Sequence, residues 1–242
     1  MEVPADGTPP ADGTTPVTGG GGGGPSDPLV DSAGAVGSFA PGILSPSQSS
    51  EVVVELRQQS GANPDQASID HVTSVLRNVA QKTVTPTQAA AIGGGAKGWS
   101  ADELRALGGS GLAQGSGRAV IHLLFVHGTF GGDDSVLGVA VRGDTAAIFV
   151  DQVHAAATPL VGSSGIEVAV VTHEVGHLLG LVDLFLHTGR QDPGHPGHST
   201  NQKSVMYWAV ESDIVAQLLQ GGPPREFDSA DLADLATIRT SG

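Results

Sequence analysis

The stretch Val170-Val171-Thr172-His173-Glu174-Val175-Gly176-His177-Leu178-Leu179-Gly180-Leu181-Val182-Asp183 sets two histidines and two carboxylates into an otherwise apolar run. Burying such groups is costly unless they are paired or hold a metal. On a helix, His173 and His177 fall four apart, so both imidazoles project from one face, one turn above the other. That separation lets both nitrogens reach a single ion at about 2.0–2.1 Å. Glu174 lies one step round from His173, poorly placed as a third ligand but well placed to touch a water on the metal. This is the His-Glu-x-x-His logic of two ligands and a general base. Gly180 lets the backbone leave the helix in a left-handed conformation. The chain can then swing back, and Asp183 is where a third ligand could approach. Without a metal, the same residues would be a histidine pair bridged by Glu174 and Asp183, a poor way to fill a core.

The remaining sequence supplies the frame. Residues 1–48 carry Pro, Gly, Thr, Ser and Asp, with six consecutive glycines from Gly19 to Gly24. Such composition predicts a disordered linker, and order is expected from residue 49 onward. EVVVEL, from Glu51, reads as a strand bounded by turn residues. Ile69, Val72, Leu76 and Val79 predict a helix over 64–82, with Asn63-Pro64 as cap and first position. Residues 83–98 give no clear signal. Ser100 with Glu103 predicts a capped helix over 100–107. Strand-like runs follow at 119–126, 136–141 and 146–153. A second capping box, Ser164 with Glu167, predicts the start of the helix that carries the histidines. Two helices, over 212–220 and 229–240, close the chain, and Leu232, Leu235 and Ala236 are expected to share a face of the last one.

Bulk properties exclude several functions. The 242 residues contain no cysteine, which removes disulfides, thiolate nucleophiles and cysteine metal sites. Net charge is −14 and only 11 lysines and arginines are present, without a basic stripe, so nucleic acid is not an expected partner. No apolar run is long enough to span a membrane, so no transmembrane segment is expected. The linker-like opening suggests an exported domain, secreted or held at the cell envelope, and a monomer is expected.

HEVGHLLGLVD resembles the extended zinc motif of the metzincin metallopeptidases, His-Glu-x-x-His-x-x-Gly-x-x-His/Asp, and aspartate at the last position is similar to the snapalysin-type enzymes. Met206 in SVMYW resembles the methionine of the metzincin Met-turn. The order of strands and helices from about Glu51 onward is similar too. The resemblance implies an α/β (α+β) metzincin-like fold. It has a twisted mixed sheet, a backing helix and an active-site helix (49–180), then a small, mostly helical and irregular C-terminal subdomain (181–242). It implies that His173 and His177 bind Zn2+, that Glu174 is the base, and that Met206 forms an apolar floor beneath the metal. Asp183 is the expected third ligand, with His198 or His195 of the 184–204 loop as the alternatives and His187 a more distant one. The implied activity is a zinc endopeptidase acting on proteins or peptides, which would pair with the edge strand at 136–141. The alternative is a catalytically silent protein of the same fold that binds zinc or peptide.

Overall fold

A computed structural model describes residues 31–115, 117–212 and 222–241. The β-branched run at its centre forms β1 (Ser49–Gln58), which feeds α2 (Gln66–Ala80) after the short α1 (Ala40–Leu44) that precedes both. Ile69, Val72, Leu76 and Val79 line one face of α2 and are buried, as their spacing predicts. The cap is Asp65, whose side chain accepts from the Ala67 amide, two residues on from the predicted Asn63. The segment without a clear signal yields β2 (Thr83–Gln88) and β3 (Lys97–Trp99). Pro86 is tolerated in β2 because that strand forms an edge of the sheet. Then come α3 (Ala101–Gly109), with the Ser100–Glu103 capping box intact, and β4 (Gly117–Val126), β5 (Gly128–Phe130), β6 (Gly138–Arg142) and β7 (Thr145–Phe149).

The main sheet runs β2-β1-β4-β7-β6. β1, β2, β4 and β7 are parallel, and β6 pairs antiparallel with β7 at the far edge. Alternation along β4 divides the core. Ile121, Leu123 and Phe125 join the large cluster beneath α2. Leu124 and Val126 face a second cluster with Trp99 and Leu104. The strand predicted through 153 ends at Phe149, and residues 150–153 begin α4 (Val150–Ala155). Val150 and Val153, three apart around Asp151 and Gln152, bury one helical face.

α5 (Ser163–Leu178) carries the histidines and is buried from Ile166 to Leu178. Its cap is Gly162, without a side-chain bond. Glu167 does not close a capping box with Ser164. Its carboxylate instead accepts from the Asp65 amide and the Ser68 hydroxyl, both at 2.7 Å, tying α5 to the start of α2. Beyond α5 lie the hairpin β8 (Gln191–Asp192) and β9 (His195–Ser199), a 3-10 turn at Trp208–Glu211, and the closing helix Ser229–Thr240. The closing helix buries Asp231, Asp234, Leu235 and Ile238, leaving Leu232 exposed. The helix expected over 212–220 lies, but for Ser212, outside the described residues.

One boundary needs correction. The part of the expected linker from Asp31 to Gln48 is packed: Phe39, Ala40, Ile43 and Leu44 are buried in the main core. Lys82 holds this segment by donating to the Ile43 and Ser45 carbonyls and the Ser49 hydroxyl. The short apolar pair Ile43-Leu44 is too brief to show a periodicity, so composition masked it.

Candidate metal centre

His173 and His177 meet near the C-terminal end of α5, with ring centroids 4.7 Å apart and planes at 85°. Their Nε2 atoms face each other at 3.0 Å. The Nδ1 of His173 donates to the Val205 carbonyl at 2.7 Å, which fixes the tautomer and leaves Nε2 with its lone pair exposed to the site. Burial first, and then the charges of His173 and His198, hold His177 well below the ordinary histidine range, so it stays neutral.

His198, on β9, completes a triangle of imidazoles. Its ring stacks on His173 at 5.2 Å and stands edge-on to His177 at 5.0 Å. Glu211 adds a carboxylate: Oε1 lies 3.1 Å from His198 Nε2 and Oε2 lies 3.7 Å from His173 Nε2. Burial works to lower the pKa of His198, but the Glu211 contact carries it above its usual value. Burial likewise works to raise Glu211, and its contacts with His173 and His198 outweigh that. One ligand atom from each of His173, His177, His198 and Glu211 falls within 4.8 Å of all the others. Two nitrogens on a tetrahedral zinc ion stand roughly 3.3 Å apart. The donor set and its spacing therefore fit Zn2+: three imidazoles and a carboxylate converge where one cation can take a ligand atom from each.

Asp183 stands outside this group. Gly180 takes φ +77°, as its place after the helix predicts, but Val182 and Asp183 are also left-handed, at φ +52° and +67°. The Asp183 carboxylate is turned onto the next loop. There it accepts from the Thr188 amide and hydroxyl at 2.9 and 2.7 Å, and from the Gly189 and Gln191 amides at 3.1 and 3.3 Å. It thus anchors a loop. His195 is also apart from the group: it stacks on Trp208 at 4.2 Å, nearly parallel, and its Nδ1 lies 3.6 Å from Asp192. His187 bonds the Asp183 carbonyl on the surface.

Glu174 is fully buried beside the group. Neither carboxylate oxygen has a well-formed hydrogen bond. Burial, reinforced by the nearby Glu211 charge, raises its pKa well above the carboxylate range, and only the Ala140 amide acts against this. β6 packs directly over it. A Cβ at Gly138 would come within 2.8 Å of Glu174 Oε1 and 2.7 Å of Val170 Cγ1. Glycine is therefore what lets the edge strand close on the acid.

Met206 is fully buried under α5. A Cβ at Gly176 would lie 2.3 Å from its sulfur, so helix and methionine touch without room for any other residue there. The turn holding Met206 also serves two imidazoles. Val205 accepts from His173, and the Met206 carbonyl accepts from the Ser199 amide next to His198. Ser204 locks the turn, accepting from the Met206 amide and donating to buried Asp231. Beside the group opens a cleft of about 390 Å³, walled by Phe130, Val136, Val139, Pro196 and Trp208.

Sequence reasoning missed Glu211 and Gly138. Glu211 sits in a short turn far along the chain from α5, and Gly138 looks like any glycine in a strand.

No protein-family model matches the chain, and neither does any curated protein. Among solved structures, the archaemetzincin of Methanopyrus kandleri aligns with TM-score 0.52 and 18% identity, over 78% of this chain and 96% of that one. An archaemetzincin from Archaeoglobus fulgidus, solved with malonate, gives 0.46 at 15% identity, covering 76% and 99%. A zinc-dependent peptidase from Methanocorpusculum labreanum gives 0.47 at 16%, covering 75% and 99%. The chain thus shares its fold with the archaemetzincin of Methanopyrus kandleri.

Proposed function

We propose that this chain is a zinc-dependent endopeptidase in which His173, His177 and His198 hold the metal and Glu174 is the general base. The observation that carries the reading is the state of Glu174. A fully buried carboxylate without a good partner is costly to keep. It stands one residue along from His173, against a cluster that fits a cation, where a base is needed. The fold shared with the Methanopyrus kandleri archaemetzincin supports the reading, as does the resemblance of HEVGHLLGLVD to the metzincin motif.

When bound, zinc polarises a carbonyl and lowers the pKa of water to about 7. The chain supplies the rest. Glu174 takes a proton from the attacking water and returns it to the leaving amine nitrogen. The Val205 carbonyl keeps the proton of His173 on Nδ1. Met206 and its turn form the floor, in the manner of a Met-turn. β6 offers edge backbone groups to an extended peptide, which favours protein substrates of varied sequence. Phe130, Val139 and Trp208 give the adjoining cleft an apolar wall for a side chain.

A second reading, a silent zinc-binding protein, draws on Glu211, because four protein ligands are the mark of structural zinc sites. Casein hydrolysis and zinc content separate the two. Glu174→Gln should keep one zinc per chain and lose about 10²–10⁴ of turnover. A zinc-loaded wild type that leaves casein intact, or a variant equal to it, would contradict the peptidase reading.

A further inference from the structure

The Glu211 carboxylate has unusual company. Among the described residues, the ion-pair contacts of its carboxylate are to His173 and His198. Because the Nδ1 of His173 is taken up by Val205, Nε2 is the nitrogen left to face Glu211 Oε2, at 3.7 Å. A cation in that gap would take both the imidazole nitrogen and a carboxylate oxygen as ligands. The backbone fixes the arrangement. The Leu137 amide donates to the Glu211 carbonyl at 2.9 Å, and Val136 bridges antiparallel to Ser212, which is extended. The chain's own 211–212 segment is therefore paired with the lead-in to β6, the strand expected to receive substrate, and it delivers an acid to the imidazoles.

We propose that Glu211 is the fourth protein ligand of the zinc, so the resting site is closed, and that a peptide carbonyl reaches the metal by displacing this carboxylate. The proposal rests on the zinc-peptidase reading. It reconciles a complete set of four donors with a base held ready: the fourth ligand is a carboxylate on a short 3-10 turn, whereas the histidines sit on a buried helix and a hairpin strand.

The test uses the full chain loaded with cobalt(II), as wild type, Glu211→Ala and Glu211→Gln. Metal affinity is measured by competition with a chelator, and acetohydroxamate binding by the visible spectrum. Far-UV circular dichroism checks that Glu211→Gln keeps the fold. Loss of a ligand should weaken metal binding at least about tenfold. Opening the fourth position should tighten acetohydroxamate at least about tenfold. Both affinities within twofold of wild type in both variants would overturn the proposal. So would weaker metal binding with unchanged hydroxamate affinity, since the site would then be open already. Failure of the wild type to take up metal would instead defeat the peptidase reading.

Discussion

Replacing Gly138 with alanine probes the contact that positions the base. The added Cβ would meet Val170 Cγ1 at 2.7 Å, Glu174 Oε1 at 2.8 Å and Glu174 Cγ at 2.9 Å. Ordinary carbon contacts lie at about 3.5–4.0 Å, so β6 or Glu174 must yield by roughly 0.7–1 Å. Val170 and Glu174 are both fully buried on α5, which leaves little room to relax. Overpacking of this kind costs about 1–3 kcal/mol. The effect on turnover should be larger in proportion, because a misplacement of about 1 Å at a reacting group can cost about 10²-fold. Gly138→Ala should therefore lose about a hundredfold in kcat on a quenched-fluorescence peptide. It should keep its zinc, because the atoms nearest the added Cβ belong to Val170 and Glu174 and to no imidazole. Urea unfolding would give the stability change and plasma mass spectrometry the metal content. Turnover within threefold of wild type would refute the idea that β6 seats Glu174 for catalysis.

Two further outcomes follow from the frame. Deleting residues 1–48 removes Phe39, Ile43 and Leu44, each nearly fully buried. At about 1.5–3 kcal/mol apiece the loss approaches the whole stability of a domain, so the 49–242 fragment should lack a cooperative urea transition; a sharp one would contradict the packing of α1. Glu103 is held down to about 2 from 4.5, chiefly by the Lys97 ammonium and then by the Ser100 amide and hydroxyl. A depressed carboxylate stabilises above its unfolded pKa and loses that contribution as pH falls through the folded one. The stability gap between wild type and Glu103→Gln should therefore be full above about pH 4.5 and close toward pH 2.

How far the sequence could be read depended on whether a signal was local. β1, α2, the Ser100 cap and the closing helix follow from periodicity or spacing within a few residues, and the structure has all of them. The histidine pair on α5 is legible for the same reason, since one helical turn sets it. The third imidazole, His198, was legible only as an alternative to Asp183. Motif spacing favours Asp183, but two consecutive left-handed residues turn that carboxylate onto Thr188 and Gly189. His198 reaches the site because Ser199 pairs with the Met206 carbonyl, a tertiary contact that leaves no mark in the local pattern. Glu211 and Gly138 matter only once β6 lies over α5. Ser164 and Glu167 show the opposite error: a correct local pattern overridden when Glu167 found partners on α2.

The affinity for zinc of His198→Ala, set beside Asp183→Ala and wild type in a chelator competition, tests the central claim most directly. Three imidazoles gathered by α5 and β9 predict one zinc per wild-type chain. They predict a loss of at least about a hundredfold for His198→Ala and near wild-type affinity for Asp183→Ala. The reverse order, with Asp183→Ala losing the metal and His198→Ala keeping it, would contradict the account.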